Sequence, residues 1–209
     1  MLQFITNTES SVSVSDQIKA FIKGGGRWVQ VRMKDASDEE ITKVIEEIKP
    51  LCIETETFLI LDDRVELAKT LDVGGVHLGK EDMLPSKARM ILGPAAVIGV
   101  TANTIDDVKA VRSLDIDYIG IGPFAQTSTK KNLSPILGIE GIKSICTHMN
   151  DLEINISHVA VGGIKREDVA ALMEAGVNGI AVSGAIANAP DIIKATEDFL
   201  ETLKPFLKA

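Results

Sequence analysis

Aromatic residues and positive charge are both scarce in this chain of 209 residues. Phe, Trp and Tyr together make up 4% of it, which argues against a row of aromatic side chains on which bases could stack. Lys and Arg number 22 against 30 Asp and Glu, giving a net charge of −8. Because a phosphate backbone is bound through a surplus of Lys and Arg, these shortages predict no nucleic-acid partner. A phosphorylated small molecule can still bind where a few cations converge.

Cysteine is equally scarce, and long apolar runs are missing. Cys52 and Cys146 are too few and too far apart for a disulfide framework or a zinc site of known spacing, so we expect two reduced thiols. No run approaches the roughly 20 apolar residues that cross a bilayer, and the N-terminus lacks the basic and apolar segments of a signal peptide. The sequence therefore predicts a soluble, cytoplasmic protein with no membrane partner. It allows a homo-oligomer without indicating one.

Short apolar segments alternate with amphipathic segments along the chain. The apolar segments are nearly continuous runs rich in Val and Ile, which is typical of parallel strands covered on both faces. Ser37 and Glu40 have the spacing of a helix capping box, Pro85 suits a first helical turn, and Gly176 suits a helix end. The predicted strands are residues 2–6, 28–32, 57–61, 74–78, 97–100, 117–121, 158–161 and 178–182. The predicted helices are residues 38–49, 64–70, 85–92, 104–112, 139–148, 166–175 and 190–203.

These alternating units predict the fold class. About eight β/α units of roughly 26 residues each, with no linker between them, favour a single α/β domain over residues 1–209, closed into a (β/α)₈ TIM barrel. An open, doubly wound sheet remains as an alternative, because the spacing alone allows both. In a barrel, catalytic groups lie where strands end and the following loops begin. Unusual polar residues should therefore follow the strands.

The end of the second strand carries a row of polar side chains. Gln30, Arg32 and Lys34 alternate along an extended segment, so they lie on the same side of it. Arg can bind a phosphate group bidentately and Lys can bind it as a point charge. The row suits a ligand of diphosphate size. A solvated charge pair at the barrel end is the alternative.

Carboxylates follow the third and fourth strands. Asp62 and Asp63 end the third strand, and Asp82 comes shortly after the fourth. Mg²⁺ prefers one or two carboxylates together with waters and phosphate oxygens, so Asp63 and Asp82 are the predicted metal ligands. The alternative is that each acid caps the helix that follows it, and the neighbouring cationic row favours the metal.

The sixth strand is followed by the longest irregular connection, which runs to about residue 138. Long loops after strands in compact domains are usually functional. The hydroxyls of Thr127 and Thr129 suit a phosphate group, and Lys130 suits a second anionic group. A generic surface loop is the alternative.

Glycines follow the seventh and eighth strands. Gly162 and Gly163 end one strand, and Ser183 and Gly184 end the other. Glycines let backbone N–H groups approach an anion, and this is the commonest phosphate site in barrels. The alternative is that these glycines serve only tight turns. His77, on the fourth strand, is interpreted as a histidine satisfied within the barrel, without a catalytic role.

Taken together, these segments resemble the thiamine phosphate synthase family. The resemblance runs from about residue 3 to residue 190, with the motifs in order and at plausible spacing. Each motif is weak alone, and the set is highly specific. The matching segments are Gln30-x-Arg32-x-Lys34, Asp62-Asp63-Arg64-Val65-x-Leu67-Ala68, Gly75-Val76-His77-Leu78-Gly79-x-x-Asp82, Gly99-Val100-Thr101, Gly122-Pro123, Thr127-x-Thr129-Lys130, Gly162-Gly163-Ile164 and Ser183-Gly184-Ala185-Ile186.

The resemblance implies a reaction and a set of roles. Members of this family join hydroxymethylpyrimidine pyrophosphate to a thiazole phosphate with Mg²⁺, and release pyrophosphate. By analogy Asp63 and Asp82 would bind Mg²⁺. The implied catalytic residues are Arg32, Lys34, Thr101 and Lys130. The implied binding residues are Gln30, Arg32, Lys34, Asp62, Thr101 and Lys130 for the pyrimidine, and Thr127, Thr129, Gly162, Gly163, Ser183 and Gly184 for the thiazole phosphate.

The chain departs from the family pattern at four positions. Asp62 stands where the family usually has Asn, which adds a negative charge beside the metal site. Thr101 replaces a common Ser and keeps its hydroxyl. Lys80 replaces a common Gln, and Asn103 stands where His is frequent.

Three other functions compete with this interpretation. A thiazole tautomerase-like isomerase is a similar barrel that typically lacks the metal aspartates and the Thr-x-Thr-Lys loop. A sugar-phosphate epimerase or aldolase would need paired acids or a Schiff-base Lys in the barrel centre, and no predicted strand contains a candidate Lys. A non-catalytic thiazole-phosphate binding barrel would leave the cationic row and the acid pair unexplained.

Overall fold

Eight short strands alternate with helices in the structure, a computed structural model that describes residues 1–127 and 135–206. The strands are β1 (Leu2–Ile5), β2 (Trp28–Val31), β3 (Phe58–Asp62), β4 (Gly75–Leu78), β5 (Val97–Ala102), β6 (Tyr118–Ile121), β7 (Ser157–Val161) and β8 (Gly179–Val182). The helices are α1 (Val14–Lys23), α2 (Asp38–Glu54), α3 (Val65–Thr70), α4 (Pro85–Leu92), α5 (Ile105–Val111), α6 (Gly138–Asp151), α7 (Val169–Glu174), α8 (Gly184–Ala187) and α9 (Ile192–Leu203). All eight predicted strands are present within two residues of their predicted bounds.

The strands form one closed parallel barrel. Each strand pairs with the next along the chain, and β8 pairs with β1. Phe4 of β1 lies between Val29 of β2 and Val182 of β8. The predicted (β/α)₈ barrel is therefore confirmed. The open-sheet alternative is wrong, because an open sheet would leave β1 and β8 without each other as neighbours.

Apolar side chains pack on both sides of the barrel wall. Between the wall and the helices, Phe4 stacks on Phe21 of α1 with ring centroids 4.9 Å apart, and both side chains are fully buried. The barrel interior holds a second, smaller cluster, as expected for a packed barrel rather than a pore. Its buried members are Ile60, Tyr118, Val159 and Ala181.

Several helix ends follow the local signals in the sequence. The Ser37–Glu40 capping box is present, with the Glu40 N–H 3.3 Å from Ser37 Oγ and the Ser37 N–H 2.8 Å from Glu40 Oε2. Pro85 opens α4. Gly176, just after α7, has φ of 108°, a left-handed conformation that glycine adopts at low cost.

Helices α1, α2 and α8 differ from the sequence expectations. No helix was predicted over Gly184–Ala187, where α8 forms. No bounds were predicted for a helix between β1 and β2, yet α1 forms there, with Ser13 Oγ accepting from the Asp16 N–H at 3.1 Å. The prediction that the second helix ends at residue 49 is wrong, because α2 continues through Pro50 to Glu54. Pro removes one helical hydrogen bond, but Cys52, on the next turn, is buried in the core and holds the segment in place.

The two cysteines, Cys52 and Cys146, are free and buried. Of the helices within residues 1–127 and 135–206, none combines the length and the apolar character that crossing a membrane would need.

Candidate active site

An open cavity of about 390 Å³ lies at the rim where the carboxyl ends of the strands meet. Residues at the ends of all eight strands line it, from Ile5 of β1 round to Ser183 after β8. This rim is where barrel enzymes carry their sites. Of the predicted site residues, those lining the cavity are Gln30, Arg32, Lys34, Asp62, Asp63, Thr101, Thr127, Gly162, Gly163, Ser183 and Gly184. Thr129 and Lys130 lie outside the described residues.

The polar row after β2 converges on one carboxylate. Gln30 Nε2 donates to Asp62 Oδ1 at 2.6 Å. Arg32 Nε and Lys34 Nζ lie 3.4 Å and 3.6 Å from the other oxygen of Asp62. The Asp62 side chain is 9% exposed and that of Arg32 is 23% exposed, so the solvated-pair alternative does not describe Arg32. The Lys34 side chain is 44% exposed and keeps its contact with solvent. Gln30 Oε1 is buried at the cavity wall and has no hydrogen-bond partner among the described residues.

Asp63 and Asp82 meet beside this cluster. Their carboxyl groups share a hydrogen bond, and Asp82 also accepts from the Gly79 N–H at 2.6 Å. The residues that precede α3 and α4 are Arg64 and Leu84, and neither helix has a side-chain cap. The helix-cap alternative is therefore wrong for both acids. Asp63 has φ of 64°, a backbone conformation that residues other than glycine seldom adopt.

The two acids have opposite pKa shifts. Burial raises the pKa of Asp63 to about 7, and the hydrogen bond with Asp82 and the charge of Asp62 act in the same direction. Burial also disfavours ionised Asp82, but hydrogen bonds with Asp63 and the Gly79 N–H outweigh it and lower the pKa of Asp82. The pair therefore shares a proton near neutral pH, because two adjacent carboxylates resist ionising together.

Lys34 adds a positive charge at the edge of the acid pair. Its ammonium group donates to Asp63. Burial alone would lower the pKa of Lys34, but this hydrogen bond and the charges of Asp62, Asp63 and Asp82 outweigh it and raise the pKa. Lys34 therefore remains charged where an anionic ligand would meet the acid pair.

The donor set fits Mg²⁺. This ion prefers one or two carboxylates and fills its remaining positions with water and phosphate oxygens, and Asp63 with Asp82 supplies that number. Among the described residues, no group of three or more His, Cys, Asp or Glu side chains could hold a metal ion, so these residues offer no closed cage of the kind that structural zinc needs. A cation in place of the shared proton would remove the repulsion between the two carboxylates.

Thr101 and His77 form the cavity wall at β5 and β4. Thr101 Oγ1 lies 3.0 Å from His77 Nε2, and Tyr118 Oη lies 2.8 Å from His77 Nδ1. Both ring nitrogens therefore have partners within the barrel. This agrees with the interpretation of His77 as a satisfied histidine, although the ring also lines the cavity.

The loops after β7 and β8 form the wall across the barrel from the acid pair. Gly162 and Gly163 have φ of 100° and 66°. A Cβ on Gly163 would lie 2.5 Å from the Gln126 carbonyl oxygen, so a side chain there would displace the loop after β6. Ser183 directly precedes α8, and Lys165 also lines the cavity. Backbone N–H groups near a cation are typical of an anion site.

Comparison with known proteins assigns this barrel to a family. A family described as thiamine monophosphate synthase matches residues 2–186, which span every strand of the barrel and both cavity walls. The chain belongs to the thiamine monophosphate synthase family.

Close relatives within this family match over nearly their whole length. The chain is 54% identical to the thiamine-phosphate synthase of Bacteroides fragilis over 199 residues, covering 95% of this chain and 98% of that protein. It is 50% identical to the thiamine-phosphate synthase of Bacteroides thetaiotaomicron, covering 95% of each chain. The solved structure of a thiamine phosphate pyrophosphorylase from Pyrococcus furiosus is similar, with a TM-score of 0.87, 28% identity, and coverage of 99% and 96% of the two chains.

Some residues that line the cavity of this member of the thiamine monophosphate synthase family were not predicted from the sequence. Lys165 directly follows Gly162-Gly163-Ile164, so extending that motif by one residue would have found it. Asn188 directly follows α8 and lines the cavity, and no sequence signal indicates it because so short a helix has no apolar periodicity. Asn103, noted only as a departure from the family pattern, donates from Nδ2 to the Gly122 carbonyl and ties the loop after β5 to the loop after β6.

Proposed function

We propose that this chain joins hydroxymethylpyrimidine pyrophosphate to a thiazole phosphate, forming thiamine phosphate and releasing pyrophosphate. The relatives' names state the product. The observation that carries the proposal is the convergence of Arg32 and Lys34 with the acid pair Asp63 and Asp82 at one rim. A diphosphate and its cation need both sets together.

The pyrimidine pyrophosphate would bind on the side of β2 to β5. Arg32 and Lys34 would contact the diphosphate, and Lys130 is proposed to join them. Gln30 would contact the pyrimidine, because it lines the cavity and its Oε1 is an acceptor without a partner among the described residues. Asp62 would hold the donors of the row in place, and Thr101 would contact the pyrimidine.

Mg²⁺ would be held by Asp63 and Asp82 and, when bound, would neutralise charge on the diphosphate. The chain's own cations act on the same charge. Lys34 is held beside Asp63, and the Arg32 guanidinium lies against Asp62, so both are in position before the ligand arrives. Preorganised charges of this kind stabilise a leaving group without reorganisation during the reaction.

The thiazole phosphate would bind on the side of β6 to β8. The proposed contacts are the hydroxyls of Thr127 and Thr129 and the backbone of the loops after β7 and β8, at Gly162, Gly163, Ser183 and Gly184. Lys165, which the structure adds to this wall, would supply a cation for the phosphate. The two ligands would then face each other across the cavity.

The bond changes require little side-chain chemistry. The bond between the pyrimidine methylene and the diphosphate oxygen breaks, and its electron pair leaves with pyrophosphate. The aminopyrimidine stabilises the positive charge left on the methylene, and the thiazole nitrogen supplies the electron pair for the new carbon–nitrogen bond. Neither a nucleophilic side chain nor a strong general base is needed. The chain contributes orientation and electrostatics.

Two other functions would use parts of the same cavity. A tautomerase-like isomerase would rearrange the thiazole phosphate alone, and a non-catalytic barrel would bind it without turnover. Neither has a use for the acid pair beside the cationic row, so the contacts among Lys34, Asp63 and Asp82 favour the condensation.

The test is a product assay with the purified chain, both substrates and Mg²⁺, and with each component omitted in turn. We expect thiamine phosphate only in the complete mixture. Rearrangement of the thiazole phosphate without the pyrimidine would show the isomerase. Binding of the thiazole phosphate with no product in the complete mixture would show the non-catalytic barrel.

A further inference from the structure

We infer that Gln3, Tyr118 and His77 are positioning residues that make the hydroxyl of Thr101 a hydrogen-bond donor towards the ligand cavity. The four side chains come from β1, β6, β4 and β5, and they form one chain of hydrogen bonds from the barrel interior to the cavity wall. The inference assigns a role to His77, which the proposed reaction leaves without one.

The chain begins at Gln3. Its side chain is 1% exposed, and its Nε2 donates to Tyr118 Oη at 2.9 Å. An amide nitrogen only donates, so the phenolic oxygen accepts here and its own proton is available for another partner. Burial raises the pKa of Tyr118 well above its usual value, so the phenol keeps that proton.

The phenolic proton determines the tautomer of His77. Tyr118 Oη lies 2.8 Å from His77 Nδ1, and the described residues offer the buried hydroxyl no other acceptor. A phenol that did not donate there would leave its proton unsatisfied, so we assign Nδ1 as the acceptor nitrogen of the ring. A neutral imidazole then carries its proton on Nε2. His77 Nε2 lies 3.0 Å from Thr101 Oγ1 and donates to that oxygen.

Thr101 is the last member of the chain and lines the cavity. Because its oxygen accepts from His77, its hydroxyl proton is directed to a different acceptor. With the opposite tautomer, Thr101 would donate to His77 and present only lone pairs to the cavity. The chain therefore determines whether the hydroxyl of Thr101 can donate a hydrogen bond to the cavity.

The packing holds both rings in place. A Cβ on Gly99 would lie 2.1 Å from the Tyr118 ring, and a Cβ on Gly120 would lie 3.1 Å from His77 Cε1. Glycines at these two wall positions leave room for the rings. Trp28 packs edge-on against Tyr118 with ring centroids 4.9 Å apart, which restricts the phenol further.

The ligand chemistry follows from this direction, and this step rests on the proposed function. A donor at Thr101 suits an acceptor atom of the pyrimidine substrate, such as an unprotonated ring nitrogen. With the opposite tautomer the same ligand acceptor would meet only lone pairs of Thr101 and would bind less well. Thr101 would touch the substrate, whereas His77, Tyr118 and Gln3 act through it.

The first experiment requires no substrate. Nuclear magnetic resonance of the ¹⁵N-histidine-labelled chain distinguishes protonated from unprotonated imidazole nitrogens, and the signals that disappear in His77→Gln identify His77. We expect protonated Nε2 and unprotonated Nδ1 in the wild type, with this preference lost in Tyr118→Phe. A proton on Nδ1 in the wild type would overturn the inference.

The second experiment asks whether Tyr118 acts through Thr101, using the KM for pyrimidine pyrophosphate. Loss of one hydrogen bond should raise KM by roughly threefold to tenfold in Thr101→Val and in Tyr118→Phe. If the chain transmits the effect, the double variant should match Thr101→Val within about twofold. Effects that multiply in the double variant would instead show independent roles and reject the inference.

A buried histidine outside the cavity provides the matched control. His158 is 7% exposed, and its ring nitrogens lie 2.9 Å and 3.1 Å from the carbonyls of Ile156 and Gly176. His158→Gln should leave KM for the pyrimidine substrate unchanged. If the wild type turns over neither substrate, the proposed function is wrong. The tautomer of His77, measured by nuclear magnetic resonance without substrate, then decides the inference by itself.

Discussion

The carboxyl groups of Asp63 and Asp82 share a hydrogen bond, although α3 and β4 separate the two residues along the chain. Asp63 is held at this position by a left-handed backbone, and Asp82 by the Gly79 N–H. Two acids that share a proton in the free protein offer a site for one divalent cation.

Asp63→Asn should abolish most of the activity and leave the fold intact. Asn keeps the side-chain shape and tolerates the left-handed backbone, but it removes the carboxylate that would bind Mg²⁺. We expect kcat/KM to fall by about 10²–10³-fold, measured with both substrates at saturating Mg²⁺. Asp63→Ala should behave in the same way, with a further cost in stability from backbone strain.

The control for this variant is Asp151→Asn, at an exposed position at the end of α6. It removes one carboxylate far from the cavity and should retain wild-type kinetics. Wild-type activity with unchanged Mg²⁺ dependence in Asp63→Asn would remove the metal assignment.

Asp62→Asn should raise the Mg²⁺ concentration needed for half-maximal activity. The carboxylate of Asp62 lies beside the acid pair and adds a negative charge that attracts a cation. Asn can still accept from Gln30 Nε2, so the hydrogen bond of 2.6 Å has a replacement acceptor. A titration of activity with Mg²⁺ measures the effect, and a lower half-maximal concentration in the variant would contradict it.

Lys165→Ala and Lys34→Ala should separate the two halves of the cavity. Lys165 lines the wall formed after β7, and Lys34 lies against the acid pair. We expect Lys165→Ala to raise KM mainly for the thiazole phosphate and Lys34→Ala to raise KM mainly for the pyrimidine pyrophosphate. Each loses a charge-assisted contact, so the affected KM should rise by about tenfold or more. Equal effects of both variants on both substrates would argue against two separate anion sites.

Asp107→Asn should destabilise the fold in a pH-dependent way. Asp107 accepts from the Asn103 N–H at 2.8 Å and from the Thr104 N–H at 2.9 Å, and its own N–H donates to Thr104 Oγ1. Burial alone would raise the pKa of Asp107, but the hydrogen bond with Lys80 and those from the backbone outweigh it and lower the pKa.

Because the folded-state pKa of Asp107 is depressed, its ionised form stabilises the fold above the unfolded-state value of about 3.9. That contribution is lost as the pH falls through the lower folded-state pKa. Asp107→Asn should therefore cost about 1 kcal/mol at pH 7, and the difference from wild type should shrink below about pH 4. Urea unfolding at several pH values measures it. Asp106→Asn, at a side chain 85% exposed, should show no comparable loss.

Much of the barrel could be predicted from local patterns. Continuous apolar runs such as 97–100 indicate buried parallel strands, and the observed strand Val97–Ala102 extends two residues beyond the predicted end. No helix was predicted over Val14–Lys23, although the Ser13 cap and the buried apolar face of α1 are local signals for one. Pro50 ends a helix by propensity alone, whereas core packing extends α2 beyond it.

The candidate site could be predicted as a set of residues because a parallel barrel brings every strand end to one rim. Gln30, Arg32 and Lys34 follow from alternation along one strand, and the structure places all three around Asp62. The sequence alone allowed Asp63 and Asp82 to cap the helices that follow them. The structure excludes this role, because Arg64 and Leu84 are the residues that directly precede α3 and α4.

The order of strands, the position of the loops and the residue types at each strand end were determined by the sequence, since they depend on local propensity and periodicity. The partner of each polar atom was decided only by the tertiary structure. The pairing of Asp63 with Asp82 and the link from Tyr118 through His77 to Thr101 join residues distant in sequence. Such contacts depend on the register and closure of the barrel, because a hydrogen bond requires positions correct to a few tenths of an ångström.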